Sequence, residues 1–174
     1  MFMMRTVDPQ KLRNAFGSFM TGVTVVTARD DDGAMVGFTA NSFSSVSINP
    51  PLLLVCPGKF LSSYDTSANC TYFAVNILSK GQEAIANTFA TAKGDRFANV
   101  AHRDDLHGVP LIDDASAQFS CTRHQALPMG DHCILIGKVD AFAHSGLDGL
   151  GYGAGQYFKI GPASTARQGL LERT

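Results

Sequence analysis

The sequence predicts a mostly β protein, an antiparallel barrel with a few short helices, and two observations support this. Short β-branched or apolar runs recur along the chain, and turn residues separate them more often than helices do. A doubly wound parallel sheet would need a helix after each strand, so the pattern argues against that class. The 174 residues are 45% hydrophobic and 17% charged, as in a globular chain. We expect one domain over residues 1–174, with its core at about residues 8–160 and a mobile C-terminal tail.

The chain is predicted to begin with a helix and a hairpin. Asp8-Pro9 has the form of a helix start, with Asp as the N-cap and Pro in the first turn. Residues 23–28 are β-branched and apolar, as in a strand, and Asp30-Asp31-Asp32-Gly33 is typical of a solvated turn. Residues 34–40 then return as the second strand.

The middle of the chain is predicted to hold two strands, each followed by a short helix. Residues 52–56 are apolar throughout and indicate a buried strand, after which Ser62 caps a short helix. Residues 72–78 form the next strand, and Ser79 caps a helix over residues 80–90.

The last third adds more strands than helices. Residues 100–114 have the composition of a loop, whereas 117–122 and 133–143 indicate strands. The glycine-rich run 146–155 is predicted as a flexible turn before a last strand at 156–160. In total we expect six or seven short strands and three short helices.

Charge and hydropathy exclude several classes of partner. The formal net charge is −1, which argues against nucleic acid because a phosphate backbone needs a basic patch. The sequence contains no apolar run of the roughly 18 residues that a membrane span needs, and its first residues lack the apolar core of a signal peptide. We therefore expect a cytoplasmic protein without a membrane partner. The cysteines are expected to be reduced thiols, and they are Cys56, Cys70, Cys121 and Cys133.

A stretch rich in hydroxyl and amide side chains runs from Thr39 to Ser47, between two apolar runs predicted as buried strands. Uncharged hydrogen-bonding groups held there can cradle a polar ring or a phosphate by shape and hydrogen bonds. A serine-rich loop whose hydroxyls bond to their own backbone is the alternative. The hydroxyl and amide side chains are Thr39, Asn41, Ser42, Ser44, Ser45 and Ser47.

The run Gly130-Asp131-His132 is a second candidate site. The glycine permits a tight turn, and the histidine at the start of a strand can donate a hydrogen bond or stack on a planar ligand. A surface turn with a solvated histidine is the alternative.

Two other patterns are rejected as functional motifs. Residues 149–154 match Gly-x-Gly-x-x-Ala in form, but too little chain follows for the helix and acidic residue of a dinucleotide site. His102 and His107 flank two aspartates without an obvious third ligand, so we expect no metal site.

Taken together, the motifs resemble the short-chain flavin reductase family, the reductase components of two-component flavin-dependent monooxygenases. The likeness covers about residues 8–160. The matching runs are Gly22-Val23-Thr24-Val25-Val26-Thr27, Gly37-Phe38-Thr39-Ala40-Asn41-Ser42-Phe43-Ser44-Ser45-Val46-Ser47, Pro50-Pro51-Leu52-Leu53-Leu54-Val55, Phe73-Ala74-Val75-Asn76-Ile77-Leu78-Ser79, Asp95-Arg96-Phe97, Gly130-Asp131-His132 and Tyr157.

The resemblance implies an antiparallel, Greek-key-like split β-barrel that forms a homodimer. It also implies that NADH or NADPH reduces FMN or FAD, and that reduced flavin passes to a partner monooxygenase. Under this reading His132 is the catalytic residue that orients the nicotinamide. The implied flavin contacts are Thr39, Asn41, Ser42, Ser44 and Ser45 at the ring or ribityl chain, Lys59, Ser62 and Arg96 at the phosphate, and Phe97 and Tyr157 beside the cofactor.

Residues 147–157 depart from the family pattern, because glycines replace its Leu-Tyr-Tyr or Leu-Tyr-His run. This leaves the final electron acceptor open, and a cobalt(II) corrinoid or a ferric chelate is an alternative to a monooxygenase. A non-catalytic FMN-binding electron carrier is another alternative. A pyridoxamine-phosphate-oxidase-like enzyme ranks last, since it would need more basic phosphate ligands.

Overall fold

The structure, a computed structural model, describes residues 7–159. Its three helices are α1 (Pro9–Phe16), α2 (Tyr64–Asn69) and α3 (Glu83–Thr91). Its strands are β1 (Thr21–Gly22), β2 (Thr24–Arg29), β3 (Met35–Ala40), β4 (Ser44–Ile48), β5 (Pro51–Val55), β6 (Tyr72–Ile77), β7 (His102–Asp104), β8 (Pro110–Ile112), β9 (Ala117–Met129), β10 (His132–His144), β11 (Leu150–Gly153) and β12 (Gln156–Lys159).

Seven strands form one antiparallel sheet in the order β3-β2-β6-β9-β10-β5-β4. Its two edge strands, β3 and β4, follow one another in the chain with only residues 41–43 between them. A flat sheet of this size would separate its edges by about 29 Å, at about 4.8 Å per strand. Four residue steps span at most about 14 Å. The sheet must therefore curl until its edges face each other, which confirms the predicted antiparallel split barrel.

Two smaller sheets complete the fold. One has the order β1-β11-β12 and continues into β2, since the Val23 N–H donates to the Leu150 carbonyl at 3.1 Å. The other is the β7–β8 hairpin. Within residues 7–159, no helix is both long enough and apolar enough to cross a membrane.

The hydrophobic core has two parts, and β2 contributes to both. Val26 and Phe38 lie in the barrel interior with Leu135, whereas Val25 lies on the outer face in a cluster with Phe89 of α3. Burial on both faces explains why residues 23–28 are small or β-branched, without charged side chains at alternate positions.

Both later helices begin after the residues predicted to cap them. The N-cap of α2 is Ser63 and that of α3 is Gln82, rather than Ser62 and Ser79. Ser79 is held in an extended segment, because its N–H donates to Gln82 Oε1 at 3.0 Å and it pairs with Gly149. The predicted start of α1 is confirmed, since the Asp8 side chain accepts from two backbone N–H groups of the first turn.

The described residues form twelve strands, so the predicted count of six or seven was wrong. The predicted loop at 100–114 contains β7 and β8, and β9 runs on to Met129 as the partner of β10. The glycine-rich run contains β11 instead of a flexible turn, because Gly151 lets the Phe158 ring lie directly against the backbone. The predicted mobile tail lies outside the described residues.

Candidate active site

The two edges of the split are joined by Asn41, Ser42 and Phe43, and this crossing is anchored to the barrel. The backbone N–H of Cys56, just after β5, donates to Ser42 Oγ at 2.9 Å. The Phe43 ring stacks on Phe119 of β9, with ring centroids 5.9 Å apart. Asn41 is exposed, so the crossing presents its amide from a fixed backbone.

Ser44 and Ser45 begin the edge strand β4 and are exposed. Ser44 Oγ donates to the Ser45 carbonyl at 3.3 Å. The pairing of β4 with β5 shifts register between Ser45 and Ser47, and such a bulge changes the direction of neighbouring side chains. The stretch predicted as one polar loop is thus an anchored crossing followed by an edge strand. Strand edges face solvent, which explains why these positions are serines.

The turn Gly130-Asp131-His132 joins β9 to β10. Gly130 has φ +58°, the conformation that favours glycine at the first position of a two-residue hairpin turn. His132 Nδ1 donates to Asp131 Oδ1 at 2.7 Å, and this hydrogen bond lowers the pKa of the Asp131 carboxyl below its ordinary value. Because Nδ1 is engaged, Nε2 is the nitrogen of His132 left for a ligand.

Lys59 packs against this turn. Its N–H donates to the Asp131 carbonyl at 2.8 Å and its Nζ to the Gly130 carbonyl at 2.7 Å. The preceding Gly58 pairs with His132. Lys59 does not line the cavity that contains the other predicted phosphate ligands.

Those ligands meet in a cavity of about 350 Å³ between the start of β3, the residues before α2 and the loop after α3. It brings together Ser62, Arg96 and Phe97, as the sequence predicts. It also contains Ser63 and Lys93, which the sequence analysis did not single out. We call it the Ser63 cavity.

Ser63 is the most unusual residue of this cavity. It is only 4% exposed, and its Oγ has no hydrogen-bond partner within residues 7–159. Although Ser63 is the N-cap of α2, its side chain makes no capping bond. A buried polar atom left unsatisfied costs about 1–3 kcal/mol. A ligand with an acceptor oxygen would remove that cost.

Cations outnumber carboxylates among the side chains of the Ser63 cavity. Arg96 donates through Nε to the Ala92 carbonyl at 3.0 Å and through Nη1 to the Gly37 carbonyl at 2.7 Å. It therefore ties the end of α3 to β3 and keeps Nη2 for a ligand. Lys93 is exposed, and Asp95 is engaged through Oδ1 with the Phe97 N–H at 2.8 Å. The residues fit an anionic group.

Phe97 forms a wall of the cavity from a position in the core. It is buried and packs edge-on against Phe89, with centroids 4.9 Å apart, and against His102 at 5.3 Å. Its ring fixes the loop after α3 in place. In the described part of the chain, no three His, Cys, Asp or Glu side chains converge as metal ligands.

A larger cavity of about 820 Å³ opens between α1, the end of β3 and the β11–β12 hairpin. It contains Thr39, Asn41 and Tyr157, and we call it the Tyr157 cavity. Thr39 Oγ1 donates to the Ala86 carbonyl of α3 at 2.6 Å. The Tyr157 ring lies 5.3 Å from that of Tyr152, and burial raises the pKa of Tyr157.

The polar face of α1 lines the Tyr157 cavity through Gln10, Arg13 and Asn14. Their spacing of three and four residues places them on one side of a helix. Helical periodicity in the sequence could have found this face. Nothing in the sequence marks Ser63 in the same way, because its burial depends on the tertiary packing of α2.

Residues 16–161 match the model of the flavin reductase like domain family. A probable flavin reductase of Rhizobium meliloti (strain 1021) is 52% identical over 151 residues, which are 87% of this chain and 49% of that protein. The reductase component of the flavin-dependent trigonelline monooxygenase of Acinetobacter baylyi is 51% identical, over 90% of this chain and 50% of that protein. The chain thus spans about half the length of these two relatives.

Among solved structures, the NADH:FAD oxidoreductase SgcE6 of Streptomyces globisporus, in complex with NAD and FAD fragments, aligns with a TM-score of 0.85. It is 37% identical, over 92% of this chain and 99% of that one. The match of fold and the match of sequence agree over most of the described residues. This chain therefore belongs to the flavin reductase family, as its motifs predicted.

Proposed function

We propose that this chain is an NAD(P)H:flavin oxidoreductase, which transfers a hydride from NADH or NADPH to FMN or FAD. The observation that carries the proposal is the Ser63 cavity, in a protein of the flavin reductase family. There a buried hydroxyl that has no partner within residues 7–159 lies near two cations. The names of the relatives support it, since one is a reductase component and another an NADH:FAD oxidoreductase.

In this proposal the Ser63 cavity holds the flavin phosphate. Phosphate oxygens accept from the Ser63 hydroxyl, from Nη2 of Arg96 and from Lys93, and Ser62 lies at the same wall. Charge-assisted hydrogen bonds of this kind are roughly twice as strong as neutral ones. The proposal gives the unsatisfied Ser63 hydroxyl a partner only when flavin is bound.

The flavin ring is assigned to the split of the barrel. Residues 56–63 connect the crossing, where the Cys56 N–H donates to Ser42 Oγ, with the wall of the Ser63 cavity, and one extended ligand is proposed to span both. Asn41, Ser44 and Ser45 are exposed there and are proposed to bond the ring or the ribityl chain, while Ser42 holds the crossing in position. Lys59, Thr39 and Tyr157 stay predictions as flavin contacts, because each lies against another part of the chain.

His132 is proposed to orient the nicotinamide. A carboxamide both donates and accepts, so His132 Nε2 can bond to it whether the imidazole is neutral or charged. The bound flavin supplies the electron-accepting ring that takes the hydride. The protein binds both rings, holds them at a short distance and limits their motion.

We further propose that reduced flavin passes to a partner monooxygenase and that the chain is a homodimer. The name of the Acinetobacter relative supports the first point. For the second, a row of stacked phenyl rings runs from Phe43 through Phe119 to Phe142, which is 74% exposed. The exposed end of this row is proposed as part of the dimer interface. The cytoplasmic location stays a prediction.

Anaerobic stopped-flow absorbance with NADH or NADPH and FMN or FAD tests the proposal. Protein-dependent bleaching of the yellow flavin band is expected, and the faster pair identifies the preferred cofactors. If flavin binds but stays oxidised with both nicotinamides, the protein is an electron carrier. No observation on this chain favours the corrinoid, ferric-chelate or pyridoxamine-phosphate alternatives.

A further inference from the structure

The segment between β5 and α2 carries an exposed aromatic residue whose ring packs on the Gly58 backbone and against His132. Phe60 is 78% exposed. Its ring lies so close to the Gly58 backbone that a Cβ at Gly58 would overlap it. The same ring meets His132 edge-on, with centroids 5.7 Å apart and planes at 82°.

The backbone under this ring is fixed at several points. The Leu61 N–H donates to the Gly58 carbonyl at 3.0 Å, and the Lys59 N–H donates to Asp131 at 2.8 Å. Gly58 also pairs directly with His132. A single exposed apolar side chain needs no explanation by itself. Here, however, the exposed ring forms one wall of a right-angled corner whose other wall is the proposed nicotinamide residue.

We propose that Phe60 is a nicotinamide-contacting residue that, with His132, selects and positions the planar ring of the hydride donor. This rests on the proposed function above. A planar heterocycle stacks on the exposed phenyl face while His132 bonds its carboxamide. The nicotinamide becomes cationic as it loses hydride, and the face of a phenyl ring attracts a cation. The contact therefore strengthens as hydride is transferred.

The test uses the full chain with Phe60→Ala, Phe60→Tyr and Gly58→Ala. Phe60→Ala is expected to raise KM for the nicotinamide about three- to tenfold and to slow flavin reduction, while flavin affinity in the absence of nicotinamide stays within about twofold. Phe60→Tyr keeps the ring and restores most of the activity. Gly58→Ala displaces the ring without removing it and is expected to act like Phe60→Ala. The variant that combines Gly58→Ala with Phe60→Ala should raise KM for the nicotinamide no further than Phe60→Ala alone does.

Leu106→Ala is the matched control, an apolar residue that is 62% exposed between β7 and β8, and it is expected to match the wild type. Wild-type nicotinamide kinetics in Phe60→Ala would overturn the assignment. So would an equal loss of flavin affinity, which would place Phe60 at the flavin instead. A wild type that never reduces flavin would instead overturn the proposed function, and this contact with it.

Discussion

The Tyr157 cavity and the Ser63 cavity, both near the end of α3, differ in size and in whether their hydroxyl groups have hydrogen-bond partners. The Tyr157 cavity is more than twice as large, at about 820 Å³ against 350 Å³. The half-buried hydroxyl of Thr39 in this cavity is already bonded to the Ala86 carbonyl. The smaller cavity contains the Ser63 hydroxyl, which has no partner within residues 7–159.

This difference favours the Ser63 cavity as the proposed site of a polar ligand. A satisfied hydroxyl gains little from a new partner, whereas an orphaned one regains the free energy lost on burial. Two cations add long-range attraction for an anion at the Ser63 cavity. We therefore expect substitutions at the Ser63 cavity to weaken flavin binding, and a substitution of Tyr157 in the larger cavity to leave flavin binding nearly unchanged.

The largest effect is expected for Arg96→Ala. A hydrogen bond to a charged group contributes about 1.5–3 kcal/mol, so flavin affinity should fall about 10- to 150-fold. Arg96→Lys keeps the positive charge but loses the forked guanidinium group. Its flavin affinity should lie between that of the wild type and that of Arg96→Ala. Fluorescence titration of FMN and FAD measures both. Arg96 also ties α3 to β3, so thermal unfolding must confirm that the variant is folded.

Arg123→Ala is the control for this loss, since Arg123 also donates to a backbone carbonyl, that of Ala68 at 3.1 Å, but lies outside both cavities. It should bind flavin like the wild type. If Arg96→Ala bound flavin as tightly as the wild type does, the proposal that the flavin phosphate lies in the Ser63 cavity would be wrong.

Ser63→Ala should have the second-largest effect on flavin affinity. It should raise the stability of the free protein and lower its affinity for flavin. Without ligand, removing the orphaned hydroxyl should raise the free energy of unfolding by about 1 kcal/mol or more, because its desolvation cost disappears. With ligand, loss of one hydrogen bond should weaken flavin binding about five- to tenfold. Thermal unfolding with and without flavin measures both effects on one sample.

Ser67→Ala is its matched control. Ser67 is equally buried on α2, but its Oγ donates to the Ser63 carbonyl at 2.8 Å. This variant should lose about 1 kcal/mol of stability and keep wild-type flavin affinity. A destabilised Ser63→Ala would mean that its hydroxyl has a structural partner.

The contrast between Ser62 and Ser63 also shows which features of the site could be predicted from the sequence. Adjacent serines before a helix predict a cap and a polar site, but which of them is buried depends on how α2 packs on the barrel. Strands with strong apolar patterns, such as β2 and β5, were predicted close to their observed bounds. The edge strand β4 was not predicted, because its serines lack the apolar pattern of a strand. They occur there because the edge is exposed to solvent, and that exposure depends on the tertiary arrangement of the sheet.

His132→Ala should separate nicotinamide from flavin. We expect KM for the nicotinamide to rise several-fold, because one hydrogen bond contributes about 0.5–1.5 kcal/mol, and flavin affinity to stay within about twofold. His124→Ala, at an exposed position of β9, serves as the control. Unchanged nicotinamide kinetics would remove His132 from the site, and a loss of flavin affinity would make the turn part of the flavin site.

The smallest effect is expected at the larger cavity. Tyr157→Phe removes a hydroxyl but keeps the ring that packs 5.3 Å from Tyr152, so flavin affinity should change less than about twofold. The same fluorescence titration that measures Ser63→Ala measures this variant. If Tyr157→Phe weakened flavin as much as Ser63→Ala does, volume would predict the binding site better than an unsatisfied hydroxyl. The flavin would then have to reach the Tyr157 cavity, as the family resemblance of Tyr157 implied from sequence alone.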